Sequence, residues 1–217
     1  MKIKAGLEGA VKFNQRIINH QVKMPDINEL NTWRDILYGA ELIGQNIVDG
    51  KEVGYGNVSQ LLRPYNAGNN NKRFVITGTQ TGKYSQLFKE NYSIVLGYYP
   101  GTNSVDIQEG TADASSESMT HGTLYDIDEN VRFVFHVHSP EIWKNAGRLG
   151  ILRTRDDVEY GTPKMVEEVE RLFRETDVRE KNIFATGGHK DGIFSFGNDP
   201  RITGSVLLYN LIEAGKL

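Results

Sequence analysis

Cysteine is absent from this chain of 217 residues. That absence removes disulfides, thiolate metal sites and a cysteine nucleophile together, so any metal must be held by His, Asp or Glu. Positive charge is never clustered and the net charge is −3, which offers nothing to nucleic acid. No apolar run approaches membrane-spanning length, and Met1-Lys2-Ile3-Lys4-Ala5-Gly6 lacks the apolar core of a signal peptide. A cytoplasmic protein with no membrane partner is the expectation. Repeats, low-complexity tracts and an interdomain linker are missing as well. The length therefore suggests one domain over 1–217, with residues 1–24 as an N-terminal arm or edge hairpin.

What is present centres on Phe133-Val134-Phe135-His136-Val137-His138-Ser139-Pro140. β-Branched and aromatic residues dominate it and Pro140 closes it, so it reads as a buried strand. Side chains two apart on a strand share a face, so His136 and His138 project together while Phe135 and Val137 pack the other side. Two imidazoles held on rigid backbone make half of a metal site, or else a polar pair on a half-exposed strand. A third nitrogen decides between these readings. His189 sits in the tight link Gly187-Gly188-His189-Lys190-Asp191-Gly192 between two strand-like runs, an unusual place for a bulky polar residue unless it points at something.

Two stretches look built to receive an anion. Ala114-Ser115-Ser116-Glu117-Ser118-Met119-Thr120-His121 reads as a helix beginning with a serine cap and Glu117 in its first turn. A helix start carrying two hydroxyls is also a phosphate seat. Thr77-Gly78-Thr79-Gln80-Thr81-Gly82-Lys83 superficially resembles a nucleotide-binding P-loop, but only three residues separate Gly78 from Gly82, and Tyr84 stands where magnesium needs Ser or Thr. What remains is a loop of small hydroxyl residues with free backbone amides. A helix opening at Met24-Pro25-Asp26 is expected to bury Leu30, Trp33, Ile36, Leu37, Ala40 and Ile43. A second, opened by Gly161-Thr162-Pro163, is expected to bury Met165, Val166, Val169, Leu172 and Phe173. Ile202 to Ala214 reads as a closing helix, and His20 as a surface residue.

Four stretches now stand in order: Gly-Asn-Val-Ser at 56–59, Ser-Ser-Glu with a His four residues on at 115–121, His-Val-His at 136–138 and Gly-Gly-His at 187–189. Together with Tyr-Gly-Thr-Pro at 160–163, they resemble the class II aldolase/adducin family, which includes fuculose-phosphate aldolase and ribulose-phosphate 4-epimerase. The resemblance implies a three-layer α/β/α domain with a mixed, largely antiparallel central sheet. It implies Zn2+, or another divalent metal, on His136, His138 and His189, with Glu117 as catalytic acid/base. It places a substrate phosphate on Asn57, Ser115, Ser116 and a Thr-Gly pair, by position Thr81 and Gly82. The loop is longer than the family's, so Thr79 or Gly78 could serve instead. The implied activity is lyase chemistry on a small hydroxy-carbonyl, sugar-phosphate-like substrate, by aldol-type cleavage through a metal-stabilised enediolate. Epimerisation and dehydration pass through the same intermediate, and a non-catalytic adducin-like binding module is the alternative without chemistry. A homo-oligomer, commonly a tetramer, is implied too. Two departures stand out: the segment between His138 and the Tyr-Gly-Thr-Pro helix is short, and the family's C-terminal catalytic tyrosine has only Tyr209 to match it. A cupin-type His-x-His site fits worse, because only Ser139 and Pro140 separate His138 from Glu141.

Overall fold

The computed structural model describes residues 10–215. The chain runs β1 (Asn14–Ile18), α1 (Asn28–Gly39), β2 (Gly44–Val48), β3 (Lys51–Tyr55), β4 (Asn57–Leu61) and β5 (Phe74–Thr77). It continues with β6 (Tyr92–Tyr99), β7 (Ser104–Gln108), α2 (Ser118–Ile127), β8 (Phe133–His138), α3 (Pro140–Asn145) and β9 (Leu152–Arg153). It closes with α4 (Pro163–Glu175), α5 (Val178–Lys181), β10 (Ile183–Ala185), β11 (Gly192–Gly197) and α6 (Pro200–Gly215). Nine strands form one sheet in the order β1-β7-β6-β5-β4-β8-β11-β10-β9, and β2 with β3 makes a separate ribbon. Pairing is antiparallel except at the two edges, where β1 runs parallel to β7 and β9 parallel to β10. The mixed, largely antiparallel sheet expected for the domain is thus present.

β8 lies inside the sheet, between β4 and β11, and its pleat sorts its residues into two cores. Val134 joins Met119, Leu124 and Tyr125 of α2 and Met165, Val169 and Leu172 of α4. Phe135 and Val137 join Leu30 and Leu37 of α1, Ile142 of α3 and Leu207 of α6. Helices therefore cover both faces, which gives the three layers. Each fully buried side chain of this size contributes roughly 1.5–3 kcal/mol, so a one-residue slip of β8 would reverse both cores at once. The register is accordingly strict, and with it the direction of His136 and His138.

Several expectations are corrected. α1 begins at Asn28 rather than at Met24-Pro25, with the Asp26 carboxylate accepting from Asn28 N at 3.0 Å. Ile36 is exposed and Ile43 lies past the helix end, whereas Arg34, a charged residue, is buried. α2 starts at Ser118, so Ser115 and Ser116 precede the helix and do not cap it. Within the stretch read as an arm or hairpin, Asn14–Ile18 forms a single strand at the sheet edge, and residues 1–9 lie outside the described part. The strands β2 and β9 and the short helix α5 carry no pattern strong enough to have been read from the sequence.

Candidate metal and anion site

The site sits on the α2 side of β8. In the pairing with β4, His136 lies opposite Asn57; in the pairing with β11, it lies opposite Phe194, and His138 lies opposite Gly192. His189 arrives from the link between β10 and β11. That link is pressed against residues 154–158: a Cβ on Gly187 would stand 2.4 Å from Thr154 O, and one on Gly188 2.2 Å from Val158 O. Only glycine permits this approach. Thr186 Oγ1 closes the turn by donating to His189 O at 2.7 Å. The three imidazoles converge, with one ligand nitrogen from each lying within 4.8 Å of the others. His136 Nδ1 meets the carbonyl of Ile193 at 3.2 Å, and when it donates there its free lone pair is left on Nε2.

Each imidazole also lies against an aromatic ring that the sequence motifs did not flag. Tyr55 stacks on His138 with centroids 5.1 Å apart, Phe194 on His136 at 4.3 Å, and Tyr160 tilts over His189 at 4.4 Å. Tyr160 opens the Tyr-Gly-Thr-Pro stretch, so part of that signal was on view in the sequence. These rings restrict the imidazole planes. Burial above all, then the neighbouring imidazoles, hold His136 well below the ordinary histidine value, so it is neutral and ready to ligate at neutral pH.

Glu117 occupies the residue before α2, only 1 % exposed, yet its carboxylate caps no backbone amide. Its Oε1 lies 3.3 Å from His189 Nδ1, and neither atom has an oriented hydrogen bond. A buried carboxylate oxygen and an imidazole with two unbonded ring nitrogens are incomplete without a further charged or polar group. The donor set fits a divalent cation: three imidazole nitrogens and one adjacent carboxylate, with no thiolate.

Around the imidazoles lies a small, tight hollow, lined by Asn57, Gly78, Thr79, Gln80, Ser115, Ser116 and Glu117 together with Tyr55. Asn57 Oδ1 is buried there without a partner. Thr81 and Gly82 do not line it. Thr81 Oγ1 donates to Gly78 O at 2.7 Å, and the carbonyls of Thr81, Gly82, Tyr84 and Ser85 face the Arg34 guanidinium. The loop's amides are less free than the sequence suggested, since Gly78 N donates to Asn91 O at 2.7 Å and Thr79 N to Asp113 O at 2.9 Å. Of the Thr-Gly loop, residues 78–80 are therefore the part brought to the pocket. Tyr209 lies elsewhere, 63 % exposed, on a larger and mostly apolar groove beside α6.

This is a layered α/β/α domain in which three histidines that could hold a metal ion and a carboxylate are gathered beside a hydroxyl-rich hollow. The sequence profile of the Class II Aldolase and Adducin N-terminal domain matches residues 48–201, and the chain belongs to that family. Solved structures agree on the fold. An L-fuculose 1-phosphate aldolase superposes with a TM-score of 0.63 at 14 % identity, over 89 % of this chain and 85 % of the other. A sugar-phosphate aldolase from Thermotoga maritima gives 0.55 at 16 % identity, over 85 % and 93 %. The N-terminal class II aldolase domain of a conserved Thermoplasma acidophilum protein gives 0.59 at 12 %, over 91 % and 96 %. A comparison with curated protein sequences returns no match.

Proposed function

We propose that the protein is a zinc-dependent lyase that cleaves a small, phosphorylated hydroxy-carbonyl compound by aldol-type chemistry. The observation that carries this reading is the convergence of His136, His138 and His189 on one pocket with the buried carboxylate of Glu117. The sugar-phosphate aldolases among the structural neighbours support a substrate of that class. Zinc on the three imidazoles would act as a Lewis acid on the substrate carbonyl and offset negative charge developing on its oxygen.

The chain's own residues supply the rest. Glu117, whose Oε1 faces His189, moves the proton at the carbon beside the carbonyl. Asn57 and the hydroxyls of Ser115 and Ser116, with residues 78–80 of the loop, hold the substrate's anionic end at the other side of the same hollow. Tyr55, Tyr160 and Phe194 keep the imidazoles oriented. Epimerisation or dehydration would use the same parts. A non-catalytic adducin-like module would not need all three histidines, and their joint burial favours an enzyme. A cytoplasmic homo-oligomer, tetrameric as the resemblance suggests, completes the proposal.

The test is a screen of sugar phosphates and hydroxy-keto acids with zinc-loaded protein, followed by Glu117→Gln. The variant should keep its fold and zinc content while turnover falls roughly 10²–10⁴-fold. A fully active Glu117→Gln protein would move the role to another group, and a wild type inert to every such compound would leave the binding module as the better account.

A further inference from the structure

Glu117 and Thr120 stand at the first and fourth positions of the turn that opens α2, where a capping pair normally has Ser or Thr first and Glu or Gln fourth. Here the residue types are exchanged. In the usual arrangement each side chain bonds the other residue's backbone amide. In this protein the two side chains meet instead: Thr120 Oγ1 donates to Glu117 Oε2 at 3.2 Å. Thr120 has no exposure at all, and residues three apart on a helix share a face, so the hydroxyl has a fixed direction. The other oxygen, Oε1, is the one left without a hydrogen bond and turned toward His189.

We propose that Thr120 is the positioning residue for Glu117: its hydroxyl holds one carboxylate oxygen so that the other faces the histidine cluster and the substrate. This inference rests on the acid/base role proposed above for Glu117. A carboxylate with both oxygens uncommitted would rotate about its last side-chain torsion, which is broad and roughly two-fold. A half-turn only exchanges two equivalent oxygens, so what it would lack is a fixed plane, and only part of that broad range turns an oxygen toward the substrate. The Thr120 hydrogen bond to the far oxygen restricts that freedom.

Thr120→Val keeps the branched shape and deletes the donor, whereas Thr120→Ser keeps the donor and deletes a methyl group. Two measurements read them. The first is the rate at which zinc-loaded protein exchanges deuterium from solvent into dihydroxyacetone phosphate beside its carbonyl, followed by NMR. Thr120→Val should lower kcat roughly ten- to hundredfold with KM changed less than about threefold, and Thr120→Ser should restore the wild-type rate. The second is the crystal structure of each metal-free variant. Glu117 Oε1 should leave His189 in Thr120→Val and stay in Thr120→Ser. If Thr120→Val does not fold, Thr120→Ala is read in the same two ways. An unchanged exchange rate in an active enzyme overturns the proposal, as does an unmoved carboxylate in the valine variant. A wild type that exchanges nothing defeats the proposed reaction instead, and the crystal comparison still decides the positioning role.

Discussion

Zinc added to chelator-treated protein is expected to raise its melting temperature, and the structure sets the scale. The three ligand nitrogens lie within 4.8 Å of one another. Tetrahedral zinc with bonds of about 2.0–2.1 Å needs them about 3.4 Å apart. At most about 1.4 Å of closure is then required, which small rotations of the imidazoles supply without moving the backbone. All three rings are buried, and each is already held by an aromatic neighbour, so little ordering remains for the metal to impose. At a free zinc concentration of one hundred times Kd, binding to the folded state alone adds about 2.7 kcal/mol. For a chain of this length each kcal/mol moves the midpoint about 2–4 °C, so a rise of about 5–11 °C is expected by scanning calorimetry. His189→Ala should fold yet lose more than about a hundredfold in zinc affinity, and with it the response. A flat wild-type response, or an equal shift in His189→Ala, would refute the convergence argument.

Two further outcomes follow from residues around the site. Gly82→Ala should destabilise the protein by about 3 kcal/mol or more in urea titration, because the new methyl would lie 2.2 Å from Tyr55 O and 2.7 Å from Gly44 O, both rigid backbone. A change under about 0.5 kcal/mol would show that the loop is free to move and that its close packing on β3 is unimportant. The second concerns acid. Burial pushes His121 down to about 3, while the unfolded chain titrates near 6.5. Below about 6.5 the unfolded state takes up a proton that the folded state refuses, so stability is complete above that pH. It declines by up to about 1.4 kcal/mol per pH unit on the way down toward pH 3. His121→Asn, whose side-chain amide takes the place of Nδ1 and can still bond Ser59 Oγ, should flatten the metal-free stability curve by one proton between about pH 6 and pH 4. Parallel curves for the two proteins would mean that His121 is protonated in the fold.

Part of this protein was determined by sequence alone. The alternation across residues 133–138 required a strand with both histidines on one face, because the pleat has a period of two and needs no knowledge of neighbours. The stripe of α4 and its Gly-Thr-Pro start were legible for the same reason: helical periodicity is local. The resemblance of four short motifs then indicated that His189 and Glu117 belong with that strand. What the sequence left open lies where a side chain's direction depends on distant contacts. Arg34 looks like one polar residue on a surface helix, yet it is buried and turns four loop carbonyls toward itself. With the left-handed backbone at Gln80, that contact leaves residues 78–80 rather than Thr81 and Gly82 facing the pocket. Glu117 reads in sequence as an ordinary first-turn carboxylate, and only the fold, which brings the residue before α2 beside the turn that carries His189, makes it a neighbour of the imidazoles. The aromatic rings come from three separate segments, and nothing in their local sequence specifies which imidazole each will cover. Local periodicity fixes where a side chain points on a strand or helix, whereas a loop residue or an unpatterned buried charge takes its direction from the tertiary contacts that close around it.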